Sequence, residues 1–348
     1  MEKITAMNDI LQGLNIDGAC VNYKEHRHLA FYDIKLKPGA TVRRIEARTR
    51  EIALAINSRT TPIVKVIPNK GVVRLQIATS EPDKSLDLCF NGTVIPPIEE
   101  SLLPIMLGET DEGNQFWVDI TKHPHTLIAG GTGSGKSALL RTIIANLVWL
   151  QVSGARKIEL YLSDPKRVEF HTYEGMKKII PYIAYDYEST LGMLKNLDIM
   201  MESRYDVLAK LGYTSVEECP NIFPSVVVII DEVSDLMIQD KRSKQFEMKI
   251  VKLAQKCRAA GIYLILSTQR PSVDVLTGLI KTNFPARISC KVSSRVDSQV
   301  ILDSSGAECL LGRGDAILQS PINDKTRFQV AFIETKRIIK EYNSLIAA

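Results

Sequence analysis

A glycine-rich segment that ends in a lysine and a serine carries the most specific chemistry in the sequence. It reads Gly130-Gly-Thr-Gly-Ser-Gly-Lys-Ser137 and matches the pattern G-x-x-x-x-G-K-[ST]. Glycines let backbone N–H groups turn towards a phosphate, and the start of a following helix adds partial positive charge. We expect Lys136 to reach the β- and γ-phosphates of ATP and Ser137 to bind Mg²⁺. The expected phosphate-binding residues are Gly130, Gly131, Thr132, Gly133, Ser134, Gly135, Lys136 and Ser137.

Two adjacent carboxylates follow an apolar run 95 residues after that lysine. Asp231 and Glu232 come directly after Val226-Val-Val-Ile-Ile230. Asp231 suits a contact to Mg²⁺, and Glu232 suits a base that polarises a water in line with the γ-phosphate. A kinase that transfers phosphate to a hydroxyl does not need such a base. The pair therefore favours hydrolysis of ATP over its use in phosphate transfer.

Two further polar residues flank another apolar run, which ends in Ser267-Thr268-Gln269-Arg270. Gln269 is placed to sense the γ-phosphate if this strand ends at the same edge of the sheet. Arg258 closes the helical stretch before the strand. A cation there either partners the helix dipole or projects towards the nucleotide of a neighbouring subunit.

The elements that must position these residues alternate between apolar strands and amphipathic helices from Leu102 onward, which is typical of a parallel α/β sheet. Most of the strand candidates are continuous apolar runs, as in strands that are buried on both faces. They are Thr126–Ala129, Ile158–Leu162, Val226–Ile230, Tyr263–Ser267 and Arg287–Val292. Three helical stripes lie between them, and we expect these helices to end by Gly154, Gly212 and Gly261.

The amino-terminal part has a different pattern and predicts a small α+β domain over residues 19–92. Strands are expected within residues 20–36 and 63–77, with one helix over Val42–Asn57. We expect residues 1–18 to be a short mobile leader, 93–104 a proline-containing linker, and 105–348 the ATPase domain. Residues 24–50 hold eight Lys or Arg against three Asp or Glu, which fits either a solvated basic face or a surface that guides a polyanion.

Bulk composition excludes several classes of protein. No segment approaches the roughly 18–20 apolar residues that cross a bilayer, and the first residues lack a signal peptide, so a cytoplasmic location is expected. The six cysteines are scattered and suggest neither disulfides nor a zinc site. A net charge of +4 is compatible with binding nucleic acid but does not imply it.

Together these residues resemble the FtsK/SpoIIIE family of DNA translocases, within the wider FtsK–HerA group. The stretch Leu253–Leu311 is similar to the family nearly residue for residue. Upstream, Ser163-Asp164-Pro165-Lys166, with Val168 and Glu169, resembles the family's D-P-K segment. The small domain and linker resemble the family's α domain and its junction with the motor. The resemblance covers roughly residues 18–335.

The resemblance implies a RecA-like P-loop ATPase core of the ASCE type, with the strand that ends at Thr268 between the loop strand and the Asp231 strand. It also implies a ring of identical subunits, most often a hexamer, with ATP between subunits and double-stranded DNA in the channel. By position, Gln269 is then the sensor and Arg258 the finger that acts in trans, with Arg287 as the second choice.

Three basic residues are similar in position to the family's pore-facing DNA contacts: Arg270, Lys281 and Arg295. Contacts to phosphates give sequence-tolerant, salt-sensitive binding that suits sliding. Gln299 stands where a further basic residue is expected. The sequence also has no room for the family's winged-helix module or membrane segment, which suggests either an excised motor or a naturally short member.

Three alternatives to a chromosome translocase stay open. A motor of a plasmid, phage or conjugative element has the same core and differs in its partner. A small-molecule P-loop kinase needs an acceptor and does not respond to DNA. An ATP-binding scaffold does not depend on Glu232.

Overall fold

The computed structural model describes residues 1–26, 28–80, 96–220, 222–237, 243–323 and 325–346. The end of the expected small domain and the first part of the expected linker, residues 81–95, lie outside these ranges.

An antiparallel sheet of four strands forms the amino-terminal part of the chain, in the order β1-β2-β4-β3. The aliphatic side chains on one face of this sheet, with those of three short helices, make a separate core. The elements are α1 (Glu2–Gly13), β1 (Gly18–His26), β2 (Leu29–Leu36), α2 (Val42–Ala47), α3 (Thr49–Ala55), β3 (Ile63–Ile67) and β4 (Val72–Ala78).

Two expectations for this part are corrected. The first 18 residues are not a mobile leader, because α1 packs on the sheet through Met7 and Leu11, which are 1% and 0% exposed. The single helix expected over 42–57 is broken at Arg48. The Thr49 hydroxyl donates to the Glu46 carbonyl (3.1 Å), and such a side-chain bond competes with the regular helical pattern.

A sheet of ten strands forms the rest of the molecule, in the order β6-β5-β14-β13-β12-β7-β11-β10-β8-β9. The strands from β12 to β9 run parallel, and the four from β6 to β13 add antiparallel neighbours. They are β5 (Pro104–Thr110), β6 (Gln115–Asp119), β7 (His125–Ala129), β8 (Ile158–Ser163), β9 (Tyr182–Ala184), β10 (Ser225–Ile230), β11 (Ile262–Thr268), β12 (Ala286–Cys290), β13 (Asp315–Gln319) and β14 (Thr326–Val330).

Helices cover both faces of this sheet, so its central strands are buried throughout. In β10, Val227 and Ile229 face one apolar cluster, whereas Val226, Val228 and Ile230 face the other. α4 and α10 pack on the first face, and α5, α6 and α7 on the second. The helices are α4 (Lys136–Val152), α5 (Tyr187–Leu211), α6 (Val233–Met237), α7 (Ser243–Lys256), α8 (Gly278–Asn283), α9 (Arg295–Leu302) and α10 (Thr335–Ile346).

The strand order confirms the expected α/β core. β11 pairs with β7 on one side and with β10 on the other, so the strand that ends at Thr268 lies between the loop strand and the Asp231 strand. All five expected central strands form within two residues of their expected bounds. α5 ends at Gly212, whose φ of 78° is the left-handed conformation that glycine adopts without strain.

The turn between β5 and β6 joins the two sheets. Arg74 of β4 donates to Glu112 (2.8 Å) and also to Asp33 within its own sheet. Gln76 donates to Asp111 (2.5 Å), and burial raises the pKa of the Asp111 carboxyl. In the described ranges, every helix is too short or too polar to traverse a bilayer.

Candidate active site

Three neighbouring strands end at the same edge of the large sheet and bring the predicted residues together. The register pairs Ala129 of β7 with Thr268 of β11, and Leu266 of β11 with Ile230 of β10. The loop after β7, Gln269 and the carboxylates after β10 therefore meet at one edge, where ligands of open α/β sheets bind.

The glycine-rich loop depends on glycine at a position where another part of the chain approaches closely. Gly135 has a φ of 106°, and a Cβ placed on it lies 2.2 Å from the backbone nitrogen of Gly314. That nitrogen donates to the carbonyl of Ser134 (2.8 Å), and the Arg313 nitrogen donates to the carbonyl of Gly133 (3.3 Å). The segment 312–314 thus braces the loop from outside.

Lys136 is buried at the first position of α4 and contacts the neighbouring strands. Its Nζ donates to Ser267 Oγ (2.9 Å) and pairs with the carboxylate of Asp231, which also accepts from Ser267. Side-chain exposure is 3% for Lys136 and 5% for Asp231. Lys136 thus holds a positive charge beside the glycine-rich loop. A phosphate that binds at this loop can pair with the ammonium, either in place of the Asp231 carboxylate or together with it.

Ser137 points to a carboxylate that the sequence pattern alone did not single out. Its hydroxyl donates to Glu169 Oε1 (2.5 Å). Glu169 is held in place because its backbone nitrogen and that of Phe170 both donate to Asp164 Oδ2 (2.8 and 2.9 Å). Asp164 follows β8, so this turn also lies at the carboxyl edge of the sheet.

The oxygen ligands at this edge fit Mg²⁺ but do not enclose it. A serine hydroxyl and the carboxylates of Asp231 and Glu169 are hard donors of the kind that Mg²⁺ prefers. Within the described ranges, no group of three or more His, Cys, Asp or Glu side chains is arranged to hold a metal by itself. This arrangement fits a Mg²⁺ ion whose remaining ligands come from the phosphates of a nucleotide.

Glu232 is buried in a set of hydrogen bonds that keep it ionised. Its Oε1 accepts from Ser234 Oγ (2.5 Å), Thr268 Oγ1 (3.0 Å) and the backbone nitrogen of Gln269 (3.1 Å). Its Oε2 accepts from Lys166 Nζ (2.9 Å). Burial by itself raises the pKa of Glu232, but these donors outweigh it and lower the pKa to about 2. The backbone at Glu232 is left-handed, with a φ of 49°, a strained conformation that is common at functional sites.

Gln269 contacts the glycine-rich loop directly. Its side-chain oxygen accepts from Thr132 Oγ1 (3.1 Å), while its backbone nitrogen donates to Glu232. Gln269 thus lies next to both the loop and Glu232, and its role as a sensor stays a prediction.

Arg258 lies at the opposite edge of the sheet from the site in its own chain. It precedes β11, whose seven residues separate it from Thr268 by about 20 Å. The side chain is 54% exposed and lies 3.6 Å from Glu217. Arg287, the second choice, is only 13% exposed and pairs with Asp303. Arg258 is thus the more accessible of the two.

The three expected DNA contacts do not lie together. Arg270 follows β11 and Arg295 begins α9 after β12, so both are exposed beyond carboxyl ends of strands. Lys281 belongs to α8, near the amino end of β12, and its ammonium pairs with Asp303. Gln299 is exposed on α9.

Several residues of the site had no role assigned from the sequence. Lys166 and Glu169 appeared only within a resembling segment, Ser267 only at the end of an apolar run, and Ser234 not at all. Polar residues directly after a buried strand, as in Asp164-Pro-Lys166 after β8, are the signal that points to this edge.

Family models match most of the described chain. The model for the FtsK alpha domain matches residues 1–78, and the model for the FtsK/SpoIIIE family matches residues 98–222 and 217–273. The alpha-domain match includes helix α1, in agreement with its packing.

Curated relatives match nearly the whole chain. The DNA translocase FtsK of Chlamydia muridarum is 34% identical over 366 residues, which covers 98% of this chain and 45% of the relative. The DNA translocase FtsK of Tropheryma whipplei is also 34% identical, and that match covers 97% of this chain and 47% of the relative. The chain thus spans somewhat less than half the length of these relatives.

Solved structures share the fold. The pCW3 conjugation coupling protein TcpA, in its monomer form with ATPγS, superposes with a TM-score of 0.68 at 22% identity, over 100% of this chain and 99% of that one. The cytoplasmic domain of the type VII secretion ATPase EccC of Thermomonospora curvata superposes with a TM-score of 0.59 at 24% identity. That match covers 70% of this chain and 31% of the EccC chain. The large sheet is therefore a RecA-like P-loop ATPase fold, preceded by a small α+β domain, and the chain belongs to the FtsK/SpoIIIE family.

Proposed function

We propose that this chain hydrolyses ATP and uses the energy to move along double-stranded DNA. The observation that carries the proposal is the meeting of Lys136, Asp231 and Glu232 at one sheet edge, with Gln269 between the loop and Glu232. The FtsK relatives, which are named DNA translocases, support the choice of DNA as the track.

The phosphates of ATP bind at the loop through backbone N–H groups and Lys136. Ser137 and Asp231 would hold Mg²⁺ together with the phosphates, and the ion would supply positive charge against the β- and γ-phosphates. Lys136 then exchanges its contact with Asp231 for the phosphates, which leaves Asp231 available for the metal. The carboxylate of Glu169 lies beside Ser137 and orients that hydroxyl.

Glu232 orients the attacking water. A carboxylate that stays ionised at neutral pH and is fixed by three donors on one oxygen offers its other oxygen to a water molecule. A small-molecule kinase has no need of such a group, so this arrangement favours hydrolysis. Gln269 contacts both the loop and Glu232 and thereby reports whether the γ-phosphate is present.

The active form is a ring of identical subunits, most simply a hexamer, with ATP between neighbours. Arg258 supports this proposal because it lies on the far edge of the sheet, where it serves a neighbour rather than its own loop. Arg270 and Arg295 contact DNA phosphates, and Lys281 contributes less because Asp303 pairs with it.

The motor domain comprises residues 105–348, and the small domain, which includes α1, precedes it. Both domains work in the cytoplasm, where ATP and duplex DNA meet.

The rate of ATP hydrolysis with and without long duplex DNA tests this function. Wild type should be stimulated by DNA, whereas Lys136→Ala should lose nucleotide binding and Glu232→Ala should bind ATP without turning it over. A wild type that hydrolyses ATP at the same rate with and without DNA would refute the translocase, and one that converts ATP to ADP only by transferring phosphate to a small-molecule acceptor would be a kinase.

A further inference from the structure

Lys166 contacts the carboxylate that we assign to water activation. It follows β8 in the Asp164-Pro165-Lys166 turn, and its Nζ lies 2.9 Å from Glu232 Oε2. Lys166 is 39% exposed, whereas Glu232 is 1% exposed. A partly solvated, flexible side chain therefore reaches into an otherwise closed arrangement.

The two oxygens of Glu232 differ in what binds them. Oε1 accepts from three donors: Thr268 and Gln269 at the carboxyl end of β11, and Ser234 at the start of α6. Among the described residues, Lys166 is the donor to Oε2. Oε2 is thus the oxygen that remains for a water molecule, and Lys166 competes with that water for it.

A second carboxylate lies close enough to receive the lysine. Asp235 Oδ2 is 3.9 Å from the same Nζ, on the first turn of α6, and its side chain is 34% exposed. A lysine ammonium on four rotatable carbons moves such a distance without any change in the backbone. Lys166 therefore lies between two acceptors, one buried and one partly exposed.

We propose that Lys166 is a positioning residue that holds Glu232 Oε2 in a resting state and moves to Asp235 when a water is to be activated. The inference rests on the proposed function, because it assigns a device to the same hydrolytic site. DNA or a neighbouring subunit shifts the balance between the two acceptors, so hydrolysis in the absence of DNA stays slow.

Steady-state ATP hydrolysis by single and double variants tests the inference. Lys166→Met keeps the length of the side chain but removes the donor, and we expect kcat without DNA to rise about tenfold, the equivalent of one charge-assisted hydrogen bond, with KM unchanged. Lys166→Arg should restore slow hydrolysis without DNA. Asp235→Asn should lower the DNA-stimulated kcat, and the double variant Lys166→Met/Asp235→Asn should behave as Lys166→Met does.

The controls separate this inference from the proposed function and from misfolding. Lys178→Met changes an exposed lysine twelve positions later in the chain and should leave all rates as in wild type. Lys166→Met should give no rise when combined with Glu232→Gln. If Lys166→Met lowers kcat with and without DNA, Lys166 acts on the phosphates and the inference is overturned. If the effects of Lys166→Met and Asp235→Asn simply multiply, it is overturned as well. A wild type without stimulation by DNA contradicts the proposed function instead.

Discussion

Thr268 Oγ1 donates a hydrogen bond to Glu232 Oε1 over 3.0 Å. Thr268 Oγ1 also accepts a hydrogen bond from the backbone nitrogen of Arg270, again over 3.0 Å. A single hydroxyl thus joins an exposed arginine, which we assign to DNA, to a buried carboxylate, which we assign to water. We expect a shift of Arg270 on a phosphate to reach the site through this hydroxyl.

This relationship predicts that Thr268→Val uncouples ATP hydrolysis from DNA. Valine has the shape of threonine but no hydroxyl, so Glu232 loses one fixed donor and Arg270 loses its acceptor. We expect the stimulation by DNA to fall about tenfold, the usual effect of one hydrogen bond to a charged group. Thr268→Ser keeps the hydroxyl and should retain most of the stimulation. Equal stimulation in the Val and Ser variants would show that the hydroxyl has no part in coupling.

The bracing of the loop by residues 312–314 predicts different effects at two glycines. Gly135→Ala places a Cβ 2.2 Å from the Gly314 nitrogen, whereas a Cβ at Gly133 meets nothing within 4 Å. Both positions have positive φ, so both variants suffer a strain of roughly 1–2 kcal/mol. Only Gly135→Ala must also push residues 312–314 away from the loop. Thermal unfolding and titration with a fluorescent ATP analogue should show a greater loss of stability and of ATP affinity for Gly135→Ala. Equal losses in the two variants would show that residues 312–314 do not support the loop.

The central core was predictable because its signals are local. The apolar runs of β7, β10 and β11 are uninterrupted, and the glycine pattern of the loop needs no tertiary information. The antiparallel strands β5, β6, β13 and β14 were not predicted. Their pairing is set by distant contacts, such as the close approach of Gly108 to the Gln329 carbonyl, where a Cβ would lie 1.9 Å away.

The same distinction holds for the site. Lys136, Asp231 and Glu232 follow strands in recognisable patterns, so their types and order were enough. The contacts of Glu169 with Ser137 and of Lys166 with Glu232 join residues 32 and 66 positions apart, and only the fold brings them together. The placement of Lys281 away from Arg270 likewise depends on α8 returning to the amino end of β12.

The placement of Arg258 predicts complementation between inactive subunits. Arg258→Ala and Lys136→Ala homo-oligomers should each be inactive, since one lacks the trans cation and the other the phosphate contact. Mixing them creates interfaces with an intact loop and an intact arginine, so part of the ATPase activity should return. Native mass measurement must show that mixed rings form. If they form and stay inactive, the trans assignment is wrong.

The exposure of the basic residues predicts unequal contributions to DNA binding. Arg270→Ala and Arg295→Ala should each reduce the slope of log K against log salt concentration by about 0.9, the value for one lost phosphate contact. Lys281→Ala should change the slope less, because Asp303 already pairs with that ammonium. Fluorescence anisotropy with a labelled duplex, measured across salt concentrations, checks this order. An equal or larger change for Lys281→Ala would reverse it.

Displacement of a triplex-forming strand from duplex DNA tests movement most directly, because binding alone does not remove the third strand. Wild type with ATP and Mg²⁺ should release the strand at a rate that depends on ATP. Glu232→Gln should bind ATP and DNA yet release nothing, since the carboxylate that orients water is absent. Release by Glu232→Gln at the wild-type rate, or no release by a wild type whose ATPase is stimulated by DNA, would contradict the account of this chain as an ATP-driven translocase.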